Sequence, residues 1–256
     1  MDILEGIYLA PRAPTTTWNL WHQAHIDEFL ENLILLMVAK ENVNPNKIYL
    51  LGFSAGGDGV LQLATRLTDR FAAAAMMAGH PNHAVPYNLR NMLFALHIGS
   101  LDSAYQRNQV AENWQIQFAK LSKLNLGAYQ HQIVIHKDKG HWMQSKDAIA
   151  LPWMYQFLRN PIPEKIIWSP INTTPQSMHW LAAPQASIIL RDSIIVSYHQ
   201  NSNEIFIEDN PLNTLEIYLF DQMLNLDRPI IIRKKKELYL IILQKGGDQL
   251  FSLPLL

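Results

Sequence analysis

Cysteine is absent from the 256-residue chain. That excludes disulfides, thiolate metal sites and cysteine nucleophiles, and it is compatible with a reducing compartment. An excess of charge of one sign is missing too, with 21 Lys and Arg against 22 Asp and Glu. The formal net charge is −1 at pH 7, which leaves no basic field for nucleic acid or an anionic membrane surface. The one basic run, Arg233 to Lys236, sits between apolar runs and reads as a solvated hairpin tip. No apolar run approaches the roughly 20 residues of a membrane span. Met1 to Glu5 carries no basic n-region, so no signal peptide is expected, and the cytoplasm is the expected location. No spacing of histidines and carboxylates suggests a metal, the pair His22 and His25 being weak, and no cofactor is expected. What remains is ordinary globular material, 48% hydrophobic and 17% charged, enough for one large core or two smaller ones.

The order of apolar segments gives the expected architecture. Gly6 to Ala10 reads as a short strand, and Thr15 to Trp21 as a loop. Ile26, Phe29, Leu30, Leu33, Ile34 and Met37 recur at helical spacing, so His22 to Lys40 is expected to be a helix. Strands are expected at Ile48 to Leu51, Ala72 to Ala78, Leu93 to Gly99 and Tyr129 to His136. Alanine favours helix, but the run from Ala72 is short, apolar throughout and stopped by Gly79-His80-Pro81. Helices are expected at Val60 to Leu67, Tyr105 to Lys123 and Pro152 to Arg159, with Pro152 at the first helical position. Alternating strands and helices predict an α/β fold, a parallel sheet with helices on both faces.

Asn160 to Pro163 reads as a boundary, dividing a domain at 1–160 from one at 161–256. Beyond it, Ile166 to Ser169, Ser187 to Ser197, Glu204 to Glu208, Leu215 to Phe220, Pro229 to Ile232 and Leu238 to Leu243 are short β-type runs. They predict a small C-terminal all-β domain of the sandwich kind.

The chemistry centres on Gly52-Phe53-Ser54-Ala55-Gly56. An apolar strand runs into Gly-x-Ser-x-Gly and then into a helix-compatible segment, which is the context of a nucleophile elbow. Such a turn strains the backbone at Ser54 and lifts its oxygen clear, while the glycines on either side permit close approach. The Ala55 N–H, at a helix N-terminus, is the expected oxyanion donor. Read without its flanks, the pentapeptide is equally a glycine-rich turn.

A serine hydroxyl needs a base, and the base an orienting acid. Asp102 follows the end of one predicted strand, and His141 lies in a glycine-bearing loop after another. With Ser54 they fall on one sheet edge, where ligands of such sheets bind. The order Ser, Asp, His is that of the α/β-hydrolases. Each residue has a plainer reading. Asp102 suits a helix N-cap, and His141 suits a packed loop. His80, His97, His131 and His136 compete for the base role, Asp138 for the acid. Asp58 reads as a first-turn helix residue.

Residues 7–159 resemble bacterial α/β-hydrolases of the polyhydroxybutyrate-depolymerase and feruloyl-esterase type. The matching segments are Ala10 to Pro14, Trp18 to Trp21, Gly52 to Gly59, Met76 to Asn82, Gly99 to Asp102 and Gly140 to Met143. The resemblance implies a serine esterase acting on small-molecule or polymeric esters, with Ser54 as nucleophile, His141 as base and Asp102 as acid. It also implies a departure. The strand and His-Gly-Gly loop that supply a second oxyanion donor have no counterpart after Met1, so the expectation is an N-terminally short hydrolase whose sheet re-pairs, leaves an exposed edge or borrows an element. An in-frame His-Gly-Gly upstream would mark a longer working enzyme. The competing expectations are a non-catalytic binding or scaffold protein that keeps the shell of the fold, and, less favoured, a serine peptidase. Trp18, Trp21 and Trp142 are candidates to line an aromatic pocket, against the commoner use of tryptophan in packing.

Overall fold

Four short apolar segments pair in strict chain order. β1 (Tyr49–Phe53), β2 (Ala73–Met77), β3 (Leu93–Gly99) and β4 (His131–His136) form one sheet in the order β1-β2-β3-β4. Every pair is parallel, with Leu51, Ala75 and Ala95 side by side and Leu96 beside Ile133. These come from a computed structural model that describes residues 6–12, 15–170, 176–183, 192–234, 237–241 and 249–254. The chain divides into two compact units. One comprises Met1–Thr65, Arg70–Ala84 and Met92–Arg159; the other comprises Arg66–Asp69, Val85–Asn91 and Asn160–Leu256.

The alanine run is a strand despite its helical propensity. β2 lies between β1 and β3, and all five of its residues are buried. Burial on both faces of a central strand outweighs an intrinsic preference of a few tenths of a kcal/mol per residue, on the order of what separates good and middling helix formers.

Helices cover both faces. α2 (Ala55–Arg66) starts directly after Ser54, earlier than the predicted Val60. It packs on the face that Gly52 shares with Met76, Leu96 and Ile133: a Cβ on Gly52 would overlap the Gly56 carbonyl and approach Val60 within 2.9 Å. α3 (Arg107–Leu124) covers the same face, where Phe94 stacks on Phe118 at 5.8 Å and meets Trp114 at 6.3 Å. The opposite face carries Tyr49, Ala75 and His97. There the Tyr49 hydroxyl donates to the Phe157 carbonyl at 2.8 Å, and α4 (Ala150–Met154) packs on β2 and β3. α1 (Ala24–Glu41) precedes β1 and buries Ile26, Asp27 and Leu30; Phe29, expected on its buried stripe, is exposed.

Two expectations in this unit fail. Gly6 to Ala10 is not a strand. Ile7, Tyr8 and Leu9 are exposed, and β1 pairs only with β2, so no ladder takes up their backbone groups. β1 is accordingly an edge strand, half-buried along its length. The helix at Pro152 ends at Met154 rather than Arg159. Beyond it the Phe157 carbonyl takes the Tyr49 hydroxyl, and the Arg159 N–H and Nε donate to the Asn46 carbonyl and Oδ1, both at 3.0 Å. Those bonds hold the chain out of the helical path.

The second unit has two sheets around one apolar core. The first is antiparallel, with β6 (Ser177–Met178), β7 (Leu181–Ala182), β10 (Thr214–Leu219) and β13 (Gln249–Pro254) in the order β13-β10-β7-β6. The second has the order β12-β11-β9-β8-β5, from β5 (Lys165–Trp168), β8 (Ile194–His199), β9 (Glu204–Asp209), β11 (Ile230–Lys234) and β12 (Glu237–Ile241). It is mixed, because β9 and β11 run parallel. Trp168 and Ile232 from one sheet and Leu181 and Ile217 from the other share the core with Trp180. β6, β7 and β13 were not expected; the first two are only two residues long, too short for alternation to register. Of the expected features, residues 13–14 of the Ala10 to Pro14 match, 187–191 of one strand, 242–243 of another and 235–236 of the basic run lie outside the described residues. Arg233 of that run pairs with Glu204 rather than facing solvent alone.

Left-handed backbone follows every strand of the parallel sheet at its carboxyl edge. Ser54 after β1, Ala78 after β2, Tyr105 and Gln106 after β3, and Asp138 after β4 all have φ between 49° and 57°. Side chains other than glycine avoid that region, and such clusters mark functional edges. Gly99, the last residue of β3, admits the loop from β4: a Cβ there would overlap the Lys139 and Gly140 carbonyls. Just below it His97 and His136 stack, with Nδ1 and Nε2 3.1 Å apart. Burial, and then the neighbouring His136, push His97 down to about 4; burial lowers His136 against the opposing pull of Asp147.

Two outcomes follow from this edge. Gly99→Ala is expected to destabilise the protein by about 1–3 kcal/mol, because the overlapping atoms are backbone and cannot turn away; the urea midpoint measures it. His97 has a folded pKa of about 4, below its ordinary 6.5. Unfolded chains therefore bind more protons between those values, so stability is complete above pH 6.5 and falls as pH drops toward 4. The contribution amounts to roughly 3 kcal/mol at most, from 1.36 kcal/mol per unit. Urea titrations at pH 7.5 and pH 5 should show His97→Gln losing less stability on acidification than the parent.

Candidate active site

Three side chains from separate strand ends meet in one line. His141 Nε2 lies 3.0 Å from Ser54 Oγ, 87 residues away in sequence. His141 Nδ1 lies 2.7 Å from Asp102 Oδ2, 39 residues away. The carboxylate is buried, with 2% of its side-chain surface exposed, whereas the imidazole is 41% exposed. A buried acid facing a solvent-reachable base is the arrangement in which the acid orients and the base exchanges protons with a ligand.

Each position has a local cause. Ser54 sits where β1 turns into α2 at φ 56°, its N–H donating to the Met77 carbonyl at 2.9 Å. Its carbonyl accepts the Asp58 N–H at 3.0 Å, closing the first turn of α2. The glycines around it differ in need. Gly52 and Gly57 are required by close backbone, a Cβ on Gly57 coming within 2.7 Å of the Met77 carbonyl. Gly56 has open space around it, contrary to the expected symmetric role of the two glycines of the pentapeptide. Ala55 is the first residue of α2, so its N–H belongs to the set that has no partner within the helix.

Asp102 is set by the turn after β3. Its N–H donates to the Gly99 carbonyl at 3.0 Å, and its carbonyl accepts the Asn108 N–H at 3.1 Å. It is not a helix N-cap: Gln106 occupies that position of α3. The His141 loop is tied to the same turn. The Leu101 N–H donates to the Lys139 carbonyl at 2.8 Å, and the Asp138 N–H donates to Ser100 Oγ at 3.0 Å. These bonds tie the two loops to each other beside the contact of Asp102 with His141.

The rival residues are engaged elsewhere. His80 Nδ1 accepts the Asn82 N–H, and His131 Nδ1 meets the Tyr129 carbonyl at 2.8 Å. His97 and His136 face each other. Asp138 is exposed and uses only its backbone here. Asp58 Oδ1 accepts the His80 N–H at 2.6 Å, so its carboxylate anchors the β2 loop as well as sitting in the first turn of α2. Among the described residues no group of three potential ligands is placed to hold a metal ion, and no helix is long and apolar enough to cross a membrane.

Two features were not expected from sequence. Arg107 Nη1 stands 3.5 Å from Asp102 Oδ1, on the oxygen that His141 does not use, and its guanidinium lies 4.9 Å from the Tyr105 ring. The backbone strain at Tyr105 and Gln106 turns the chain so that Arg107 faces back toward Asp102. Phe53 meets the His141 ring at 5.2 Å and Trp142 at 5.9 Å. Of the three tryptophans considered for a pocket, Trp142 is 63% exposed beside His141. Trp18 is 61% exposed against His22, and Trp21 packs where a Gly59 Cβ would stand.

With that geometry in place, comparison with known proteins is informative. No curated protein matches the chain. Among solved structures it is similar to a thermostable esterase, at 18% identity and a TM-score of 0.41, covering 52% of this chain and 36% of that one. It is also similar to the Bacillus cereus carboxylesterase, at 14% identity and a TM-score of 0.39, covering 51% and 59%. A carboxylesterase from Mesorhizobium loti follows, at 15% identity and 0.39, covering 50% and 58%. The chain thus spans between about a third and three fifths of those proteins. The Esterase family model matches residues 10–161, more than half of the chain and the whole stretch that carries Ser54, Asp102 and His141: the chain belongs to the Esterase family.

Proposed function

We propose that the protein is a serine hydrolase that cleaves carboxylic esters through an acyl-serine intermediate. The observation that carries the reading is the unbroken chain from Ser54 Oγ through His141 to the buried Asp102, at 3.0 and 2.7 Å. His141 Nε2 takes the Ser54 proton as Oγ bonds to the ester carbonyl carbon. Asp102 holds the proton on Nδ1, so that Nε2 is free to accept, and it balances the imidazolium that forms. The Ala55 N–H donates to the developing oxyanion, aided by the positive end of α2. His141 then protonates the leaving alcohol. Water repeats the sequence in reverse, giving the acid and free Ser54. Arg107 holds the second oxygen of Asp102 and keeps the carboxylate turned toward His141.

Ser54→Ala is expected to lower kcat on p-nitrophenyl acetate by about 10⁶ and Asp102→Asn by about 10⁴, the sizes typical of these roles. A fluorophosphonate probe should label folded parent protein at Ser54 and leave Ser54→Ala unlabelled. Absence of labelling in folded protein would overturn the reading and favour a binding protein that keeps the shell of the fold. Faster turnover of peptide anilides than of esters would favour a peptidase instead.

A further inference from the structure

Each of the three site residues has one large apolar neighbour in sequence, and two of these neighbours are exposed. Phe53 precedes Ser54, Leu101 precedes Asp102 and Trp142 follows His141. Leu101 and Trp142 are each 63% exposed. Trp142 is not loose on the surface. Phe53 meets it edge-on, at 5.9 Å and 73°, and the same Phe53 ring lies 5.2 Å from the His141 ring. Phe53, His141 and Trp142 therefore form one continuous run of rings that begins at the serine. Leu101 stands on the loop joined to the His141 loop through the Lys139 carbonyl. An exposed indole packed on a ring that itself adjoins His141 indicates a surface that a ligand covers.

The chemistry says which part of the ligand that is. His141 Nε2 must hand its proton to the oxygen that leaves, so the leaving alcohol stands beside His141 rather than across the serine from it. Rings adjoining His141 thus meet the alcohol half of the ester. We infer that Trp142, held by Phe53, is the platform for an aromatic alcohol group, and that the preferred substrates are esters of benzyl- or aryl-type alcohols. The inference rests on the acyl-serine reading above. The step balances without a further reactant: the ester C–O bond breaks, the acyl–Oγ bond forms, and the aromatic alcohol departs with the proton from His141. Water then supplies the hydroxyl that completes the acid and the proton that Ser54 regains. Offset and edge-to-face ring contacts are favourable beyond simple burial, so an aromatic alcohol gains over an alkyl one in recognition.

The test compares benzyl acetate with ethyl acetate, which share their acyl group. In Trp142→Ala the ratio of kcat/KM for benzyl over ethyl should fall about tenfold, the ratio equivalent of roughly 1.4 kcal/mol, chiefly through KM for the benzyl ester. Trp142→Phe should keep most of the ratio, which a merely structural role for the indole would not predict. Binding is read separately in Ser54→Ala protein, which leaves the ester intact: benzyl acetate should quench tryptophan fluorescence, and the double variant Ser54→Ala/Trp142→Ala should lose that signal. Turnover with an unchanged ratio in Trp142→Ala overturns the platform and leaves the acyl-serine reading standing. No turnover by the parent, with quenching that still depends on Trp142, overturns the acyl-serine reading and leaves an aromatic binding site. Neither turnover nor quenching overturns both.

Discussion

His141 reaches Ser54 only because Gly99 has no side chain. The loop after β4 lies directly on the end of β3, with the Lys139 and Gly140 carbonyls where a Cβ would be. From that contact the rest of the site follows. The Leu101 N–H fastens to the Lys139 carbonyl and the Asp138 N–H to Ser100 Oγ, so the turn that bears Asp102 is bonded directly to the loop that bears His141. Reach to Ser54 then depends on the parallel sheet, whose strands all end on the same side. Side chains held in place before a ligand arrives spare the cost of ordering them when it binds.

Left-handed residues follow all four strands of the parallel sheet, and three of these turns redirect the chain beside Ser54, Asp102 and His141. At Ser54 the turn lifts the hydroxyl away from β1. At Tyr105 and Gln106 it brings Arg107 back onto Asp102. At Asp138 it starts the descent of the His141 loop. Each such residue carries an energetic cost on the order of 1–3 kcal/mol, which the buried apolar strands beneath it offset. The fully buried alanines of β2 are part of that support: small side chains let α2 and α4 close on the centre of the sheet from opposite faces.

Part of this was readable beforehand. The parallel sheet and its four strands appear as apolar runs punctuated by glycine, because strand burial and turn chemistry are local. Ser54, Asp102 and His141 were expected as a set from their order and from their positions after strands. Their contact was not readable, since it depends on loops closing over 87 and 39 residues. Arg107 was hidden for a similar reason. It looks like one more helix residue until the strain before it is seen. Gly6 to Ala10 misled because an apolar run needs a partner strand as well as a pattern, and the helix at Pro152 misled because its end is set by bonds from Tyr49 and Arg159.

The amino-acid order alone decided which segments could be buried, where the chain must turn, and that a serine, an acid and a histidine would each stand after a strand. It also excluded thiol chemistry outright. The tertiary structure decided what sequence spacing has no means to encode: which face each strand shows, which glycine is required by backbone at 2.7 Å and which stands in open space, and which of several histidines meets the hydroxyl. Those outcomes depend on contacts between residues far apart along the chain, and such contacts have no energy until the sheet has brought them together.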